Sequence, residues 1–329
     1  MWLKRIDENG SSALVQLPEP VNKFPEFVRH IVQRLKVLCP SLGKVKIAQV
    51  LARAGLHLCA TTVGRMLKAK TSPSKPTETP ATQAEVDESP RTVTAKYPNH
   101  VWHVDLTLLS IAGFWAPWLP FSLPQVWPFC WWLALVVDHF SRRVMGVAVF
   151  RKQPDSRHVQ QFLAKTMREN KARPKYVVSD KGSQFWCKAF KRWCRRREIK
   201  PRFGAVGLYG SIAVIERFIR TLKEEGLRRI LVPLNLRRTR DEAIAIIGWY
   251  NTHRPHSWLG GRTPDDRCRR IPAASRRPRF EPRPHWPEDS PCASPPAKVR
   301  GEPGARLQLV VGFHQGRRHL PVVTLKRVA

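Results

Sequence analysis

The segment VWHVDLTLL limits the possible folds more than any other part of the chain. Its even positions, Trp102, Val104, Leu106 and Leu108, are apolar, whereas His103, Asp105 and Thr107 point the other way. Side chains alternate along a strand, so this pattern predicts a half-buried strand with one carboxylate on its second face. WWLALVVD and RVMGVAVF read as two further strands joined through the turn HFSR. Val159, Leu163 and Met167 recur at helical spacing, YVVS is a short buried strand, QFWCKAFKRWCRRRE a basic helix and IKPRF another strand. Gly204, Gly207 and Gly210 loosen the loop before a helix that carries Glu216. Periodicity by itself gives a mixed α/β domain.

Charge narrows the partner. Lys and Arg number 58 against 25 acids, a net charge of +33, and the basic residues run through the whole chain. Such an excess points to a polyanion, above all nucleic acid, along a long contact. No G-x-x-x-x-G-K-S/T motif occurs, so a nucleotide cofactor is not expected. Seven cysteines without regular pairing fit reduced thiols in a cytosolic protein. His30, Cys39, His57 and Cys59 match no common zinc spacing and read as incidental. The N-terminus has no signal-peptide core. Between Leu106 and Val137 no side chain is charged, a length that could span a membrane. Pro117, Pro120, Pro124 and Pro128 interrupt it, and five tryptophans favour a rigid apolar loop between two strands. That loop is expected to pack on its own domain or on a second subunit, without a membrane.

Five regions follow. Residues 1–70 are helical: Ile47 with Leu51, and Val63 with Leu67, share faces on either side of Gly55. This is the outline of a helix-turn-helix domain with Thr62, Arg65 and Lys68 placed to meet DNA; a plain helical hairpin would look the same. Residues 71–95 and 266–300 are proline-rich linkers around a core of residues 96–265. Residues 301–329 form a short β-rich tail, RLQLVVGF and LPVVTLKRV, too small for its own core.

Three acids stand out in this basic chain: Asp105, Asp180 at the end of KYVVSD, and Glu216 in IERFIRTLKEE, with 35 residues between the last two. Isolated carboxylates on strands that should be buried suit hard divalent cations, which prefer clustered oxygen ligands. Taken singly, Asp180 could cap a helix and Asp105 could sit at an exposed edge. Spacing and flanking text resemble the DDE catalytic core of retroviral integrases and insertion-sequence transposases, from about Lys96 to Asp265. The resemblance implies a ribonuclease-H-like mixed five-stranded sheet with flanking helices, preceded by an all-α helix-turn-helix domain. It implies that Asp105, Asp180 and Glu216 are catalytic and hold two Mg²⁺ or Mn²⁺ ions, and that Lys223, seven residues after Glu216, contacts DNA. Arg220 shares that helix face as a further DNA contact, or else pairs with Glu216 at the surface. Thr107, Gly182, Gln184, Phe185 and the segment YNTHRPHSWLGGRTPDD also match family positions. Lys181 and the residues Ser211, Ile212 and Ala213 depart from it. Asp138 is expected to be structural, and Glu224 and Glu225 solvated.

The function so implied is metal-dependent cleavage of DNA ends and strand transfer in transposition. Element ends and a target duplex would be the partners, with a homo-oligomer assembled on DNA in a bacterial cytosol or nucleoid. A nuclease of the same fold and a transposon-derived DNA-binding protein without catalysis are the alternatives.

Overall fold

A computed structural model describes residues 26–68, 94–110, 127–204, 212–280, 299–300 and 306–328. Three helices come first: α1 (Glu26–Leu38), α2 (Lys44–Ala54) and α3 (Ala60–Lys68). Strands β1 (Val101–Ser110), β2 (Cys130–Asp138), β3 (Val144–Phe150), β4 (Tyr176–Ser179) and β5 (Lys200–Phe203) then build one sheet in the order β3-β2-β1-β4-β5. The β1–β2 and β2–β3 pairs are antiparallel, and β1–β4 and β4–β5 are parallel. This is the mixed five-stranded, ribonuclease-H-like sheet that the resemblance implies.

Helices cover both faces. Trp102, Val104, Ala134 and Val136 pack against Val159 and Leu163 of α4 (Ser156–Asn170), and against Phe190 and Cys194. On the other face, Leu109, Leu133, Leu135 and Val137 meet Ile215 and Phe218 of α7 (Ala213–Thr221) and Ile246, Trp249 and Tyr250 of α8 (Leu236–Thr252). A strand covered on both sides needs no alternation, which is why β2 is apolar almost throughout. The odd positions of β1 face α7, so Asp105 lies on the α7 side.

The strands expected on either side of the uncharged loop are present: β1 and β2 pair as one antiparallel hairpin, with Ser110 opposite Cys130. Trp131 is fully buried, its Nε1 donating to Pro233 O at 3.0 Å, so this part packs on its own domain. Trp115 and Trp118 lie outside the described residues. The basic helix is two helices, α5 (Ser183–Trp186) and α6 (Lys188–Arg196), because Cys187 is extended and its sulfur caps α6 by accepting from Phe190 N. After α7 the helix widens into a π turn over Leu222–Gly226. A Cβ on Gly226 would meet Ile246 of α8 at 2.8 Å, so glycine permits the close approach there.

The tail finds its core in others. Strands β8 (Leu307–Phe313) and β9 (Pro321–Arg327) form the expected antiparallel hairpin. Leu309 joins the cluster of Val32, Leu35, Ile47, Leu51 and Val63 in α1–α3, with Val311, Val323 and Leu325 packed against it. Leu320 and Val322 join the α7–α8 cluster instead, and Trp249 Nε1 donates to Pro321 O at 2.9 Å. The hairpin therefore wedges between the helical layer and α8. Short α9 (Pro264–Cys268) ends the core, and β6 (Arg279–Phe280) and β7 (Val299–Arg300) make a two-residue parallel pair.

Candidate active site

Strand β1 pairs with β4 through Val101–Tyr176, Trp102–Val177 and His103–Val178. Continued two residues further, this register brings Asp105 level with Asp180, just past the end of β4. Ile215 and Phe218 anchor α7 over the same part of the sheet, leaving Glu216 between them on the exposed side. Asp105 is half-buried, and its carboxyl is pushed up to about 7. Burial is the main cause; the N–H of Leu106, donating at 2.7 Å, opposes it, the charges of Asp180 and Glu216 add to it, and that of Lys223 opposes it. The three carboxylates and Lys223 thus share one electrostatic neighbourhood.

Asp180 carries the second sign of an unfinished site. Its Oδ1 is buried and has no hydrogen-bond partner. Such an oxygen costs free energy in a folded chain unless something else meets it. Among the described residues, no three His, Cys, Asp or Glu side chains converge closely enough to hold one ion together. The donor chemistry still fits a hard divalent cation, since the oxygens are anionic, partly desolvated and lack enough positive partners. Lys223 is half-buried, its ammonium pulled down by burial and by Arg228 and raised by Asp105, while Arg220 on the last turn of α7 is exposed. The helix begins at Ala213 with no side-chain cap from Ile212, in keeping with the departure from the family pattern at 211–213.

The other site candidates lie elsewhere. Gly55, at φ 102°, ends α2 and turns the chain into α3, whose Val63 and Met66 are buried while Arg65 and Lys68 are exposed and Thr62 is partly so. Two helices joined through a turn are therefore present, well separated in sequence from the carboxylates. Asp138 is structural, as expected: it is buried and accepts from Asn99 N and Ser141 N at 2.9 Å and from Ser141 Oγ at 2.5 Å.

Glu225 corrects the expectation that it is solvated. It is 7% exposed and accepts two bonds from the Arg254 guanidinium, at 2.5 and 2.7 Å, with Lys46 of α2 at 3.2 Å. The π turn swings it inward, whereas Glu224 stays exposed. Burial pushes the Glu225 carboxyl up, but the bonds and charges of Arg254 and Lys46 outweigh it and hold the group below its ordinary range. Sequence reading missed this pair, and with it the physical role of the YNTHRPHSWLGGRTPDD segment. Asn251 bridges Val144 N and O at 3.0 Å, tying α8 to the sheet edge. Thr263 and Asp266 form a capping box, and Asp266 also pairs with Arg53 of α2 and with Arg277 at 3.1 Å. The only local signal was the T-P-D-D text; the partners lie up to 213 residues away.

Two family models, both described as integrase core domain, match residues 95–207 and 197–264, together about half of the chain. The chain is 26% identical over 172 residues to the transposase for insertion sequence element IS904 of Lactococcus lactis, covering 52% of this chain and 62% of that protein. It is 25% identical over 173 residues to transposase InsF of insertion sequence IS3A of Escherichia coli K12, covering 52% and 54%. Both matches span less than two thirds of those relatives. Among solved structures, the HTLV-2 integrase catalytic core domain in complex with magnesium is similar at 20% identity and a TM-score of 0.38, over 52% of this chain and 96% of that one. The catalytic core domain of BIV integrase is similar at 18% identity and a TM-score of 0.37, over 51% and 92%. The matched stretch holds the strand of Asp105, the strand end of Asp180, the helix of Glu216 and the Glu225–Arg254 pair, and by it the chain belongs to the integrase-core family of DDE transposases and integrases.

Proposed function

We propose that this chain is a metal-dependent DNA transposase that cleaves the ends of its element and transfers them into a target duplex. One observation supports this reading most: the half-buried Asp105 carboxyl feels the charges of Asp180 and Glu216, and the Asp180 Oδ1 beside it in the strand register is buried without a partner. Asp105, Asp180 and Glu216 would hold the cations, two in all, with Asp105 and Asp180 sharing them. Mg²⁺ or Mn²⁺, when bound, supplies Lewis-acid neutralisation of the charge that develops on a phosphodiester during displacement.

The chain's own groups do the rest. Lys223, held partly out of water beside Asp105, offers a fixed positive charge to a phosphate entering the cleft. Arg220 and the basic surface of α6 meet the DNA backbone, contacts that weaken steeply with salt. Thr62, Arg65 and Lys68 on α3 read the element's ends, making residues 1–70 the recognition domain. Residues 71–95 and 266–300 serve as connections, and residues 301–329 as a tail. Two ends joined in one event need two active sites, so the working form is a homo-oligomer on DNA. Among the described residues no helix is long and apolar enough to cross a membrane, and a cytoplasmic location is part of the proposal.

The test is cleavage of an end-containing duplex with Mg²⁺. Asp180→Ala should abolish cutting while duplex binding stays within about twofold, because phosphate contacts carry most of the affinity. Normal cutting by Asp180→Ala would sink the assignment. Loss of end discrimination in an Arg65→Ala, Lys68→Ala protein, with bulk affinity largely kept, is the expected result for α3.

A further inference from the structure

A cavity of about 680 Å³ opens between α7, the β2–β3 turn, the closing segment and the start of α2. Asp105, Asp180 and Glu216 are not among its lining residues. Its walls carry Arg142, Arg217 and Arg220, none of which forms an ion pair among the described residues, whereas Arg254 and Lys46 are engaged by Glu225. Arg142 is held at φ 62°, a left-handed backbone uncommon for a residue with a side chain. Its Nη1 is buried and meets no hydrogen-bond acceptor. Its guanidinium lies 5.7 Å from the centre of the Trp258 ring, and Trp258 is 76% exposed. An unsatisfied guanidinium calls for an anion, and a bare indole beside it calls for a flat ring. Both belong to a nucleotide, and the volume is ample for one. Inside a duplex the bases are already stacked, so only an unpaired or everted nucleotide could bring base and phosphate together here.

We propose that this cavity takes one unpaired nucleotide of a DNA strand, its base against Trp258 and its phosphate on Arg142 and Arg217. The proposal rests on the reading that the chain acts on DNA and adds a second contact on it, apart from the carboxylates. Single-strand stacking on an aromatic side chain is sequence-tolerant, so the pocket selects strand state and not base identity.

Fluorescence anisotropy on the full chain in metal-free buffer tests it with three labelled probes: a paired duplex, the same duplex with a one-nucleotide bulge, and a single strand. Wild type should prefer the bulged duplex to the paired one. Trp258→Ala should weaken bulge binding by about tenfold, in line with the usual loss for one base–aromatic stack. Its binding to the paired duplex should stay within about twofold, since phosphates dominate there. Trp258→Phe, which keeps a stacking ring, should restore the preference, and Arg217→Gln should lower bulge binding without affecting cleavage of paired ends. Unlabelled deoxyadenosine monophosphate should compete only weakly. Retention of the preference by Trp258→Ala overturns the proposal, as does monophosphate competing as well as the strand, which would mark a free-nucleotide pocket. A wild type that cuts paired ends with Mg²⁺ yet shows no bulge preference removes this inference alone. A wild type that binds no DNA removes both this inference and the proposed function.

Discussion

Glu225 and Asp266 each meet guanidinium groups, whereas Asp105 and Asp180 form no ion pair among the described residues. All four are at least half-buried acids in a chain of net charge +33. Around the clamp, Arg254 and Lys46 pair with Glu225, Arg53 and Arg277 pair with Asp266, and the set ties α2 to the end of the core. Around β1 and β4 an oxygen of Asp180 is left without a partner, and Asp105 is pushed up to about 7. The fold could have supplied arginine at both places. Leaving one acidic group unmatched costs stability and keeps it open to a cation, which is how sites that must bind something differ from sites that must only hold.

The largest expected effect lies on the open side. Asp105→Asn, Asp180→Asn and Glu216→Gln should each lower Mg²⁺-dependent end cleavage by about 10³-fold or more, with no loss of thermal stability. A variant that loses activity only because it unfolds earlier would move that residue into the structural group. Arg254→Ala should do the reverse. It strands a buried carboxylate, which costs about 3–5 kcal/mol, and lowers the denaturation midpoint without touching any group proposed to meet the scissile phosphate. Replacing both Arg254 and Glu225 by leucine should recover most of that loss. If Arg254→Ala is as stable as wild type, the pair is not the clamp its geometry indicates.

The pH dependence should differ in sign between the two neighbourhoods. For Asp105 the folded-state value, about 7, lies above the ordinary 3.8. Its protonated form is therefore favoured in the fold, and the stability it contributes at low pH is lost as pH rises through 7. In ion-free buffer at pH 8, Asp105→Asn should melt higher than wild type. The gap should shrink towards pH 4, and also on adding Mg²⁺, which stabilises only the wild type by mass action. For Glu225 the folded-state value lies below the ordinary 4.5, so its contribution is present above that and lost as pH falls through the lower value. Glu225→Gln should flatten the acid limb of the melting curve and leave the limb above pH 7 unchanged.

Much of the open site was legible because its parts are local. The alternation around Asp105 fixed which face the carboxylate takes, and YVVS matched β4 residue for residue, placing Asp180 at a strand end. The clamp was illegible for the opposite reason. Glu225 looks like one more acid on a solvated helix until a π turn, made possible by Gly226 against Ile246, swings it inward. No period in the sequence announces that turn, and its partner Arg254 comes 29 residues later. The tail hairpin was readable as two strands, but its docking depends on matching Leu309 to one neighbour and Leu320 to another, which only the assembled packing decides. The even and odd positions of β1 could be separated from sequence; the helix that would cover each could not.

The smallest effect is expected where α2 reaches the clamp. Lys46 reaches Glu225 from α2 at 3.2 Å, but Arg254 already supplies that carboxylate with two shorter bonds. The Lys46 side chain is 27% exposed, so water and salt can screen it and stand in for its charge when it is removed. Lys46→Ala should therefore cost no more than about 1 kcal/mol, the range of partly exposed ion pairs, and less in 0.5 M salt. The helical layer should stay attached, because Leu309, Val311, Val323 and Leu325 hold it through apolar contact that salt does not weaken. Chemical denaturation of Lys46→Ala beside Arg254→Ala measures the difference directly. If the two variants lose equal stability, Glu225 is not satisfied within its own core, and the clamp must be redrawn as a bond between α2 and the core that neither side completes alone.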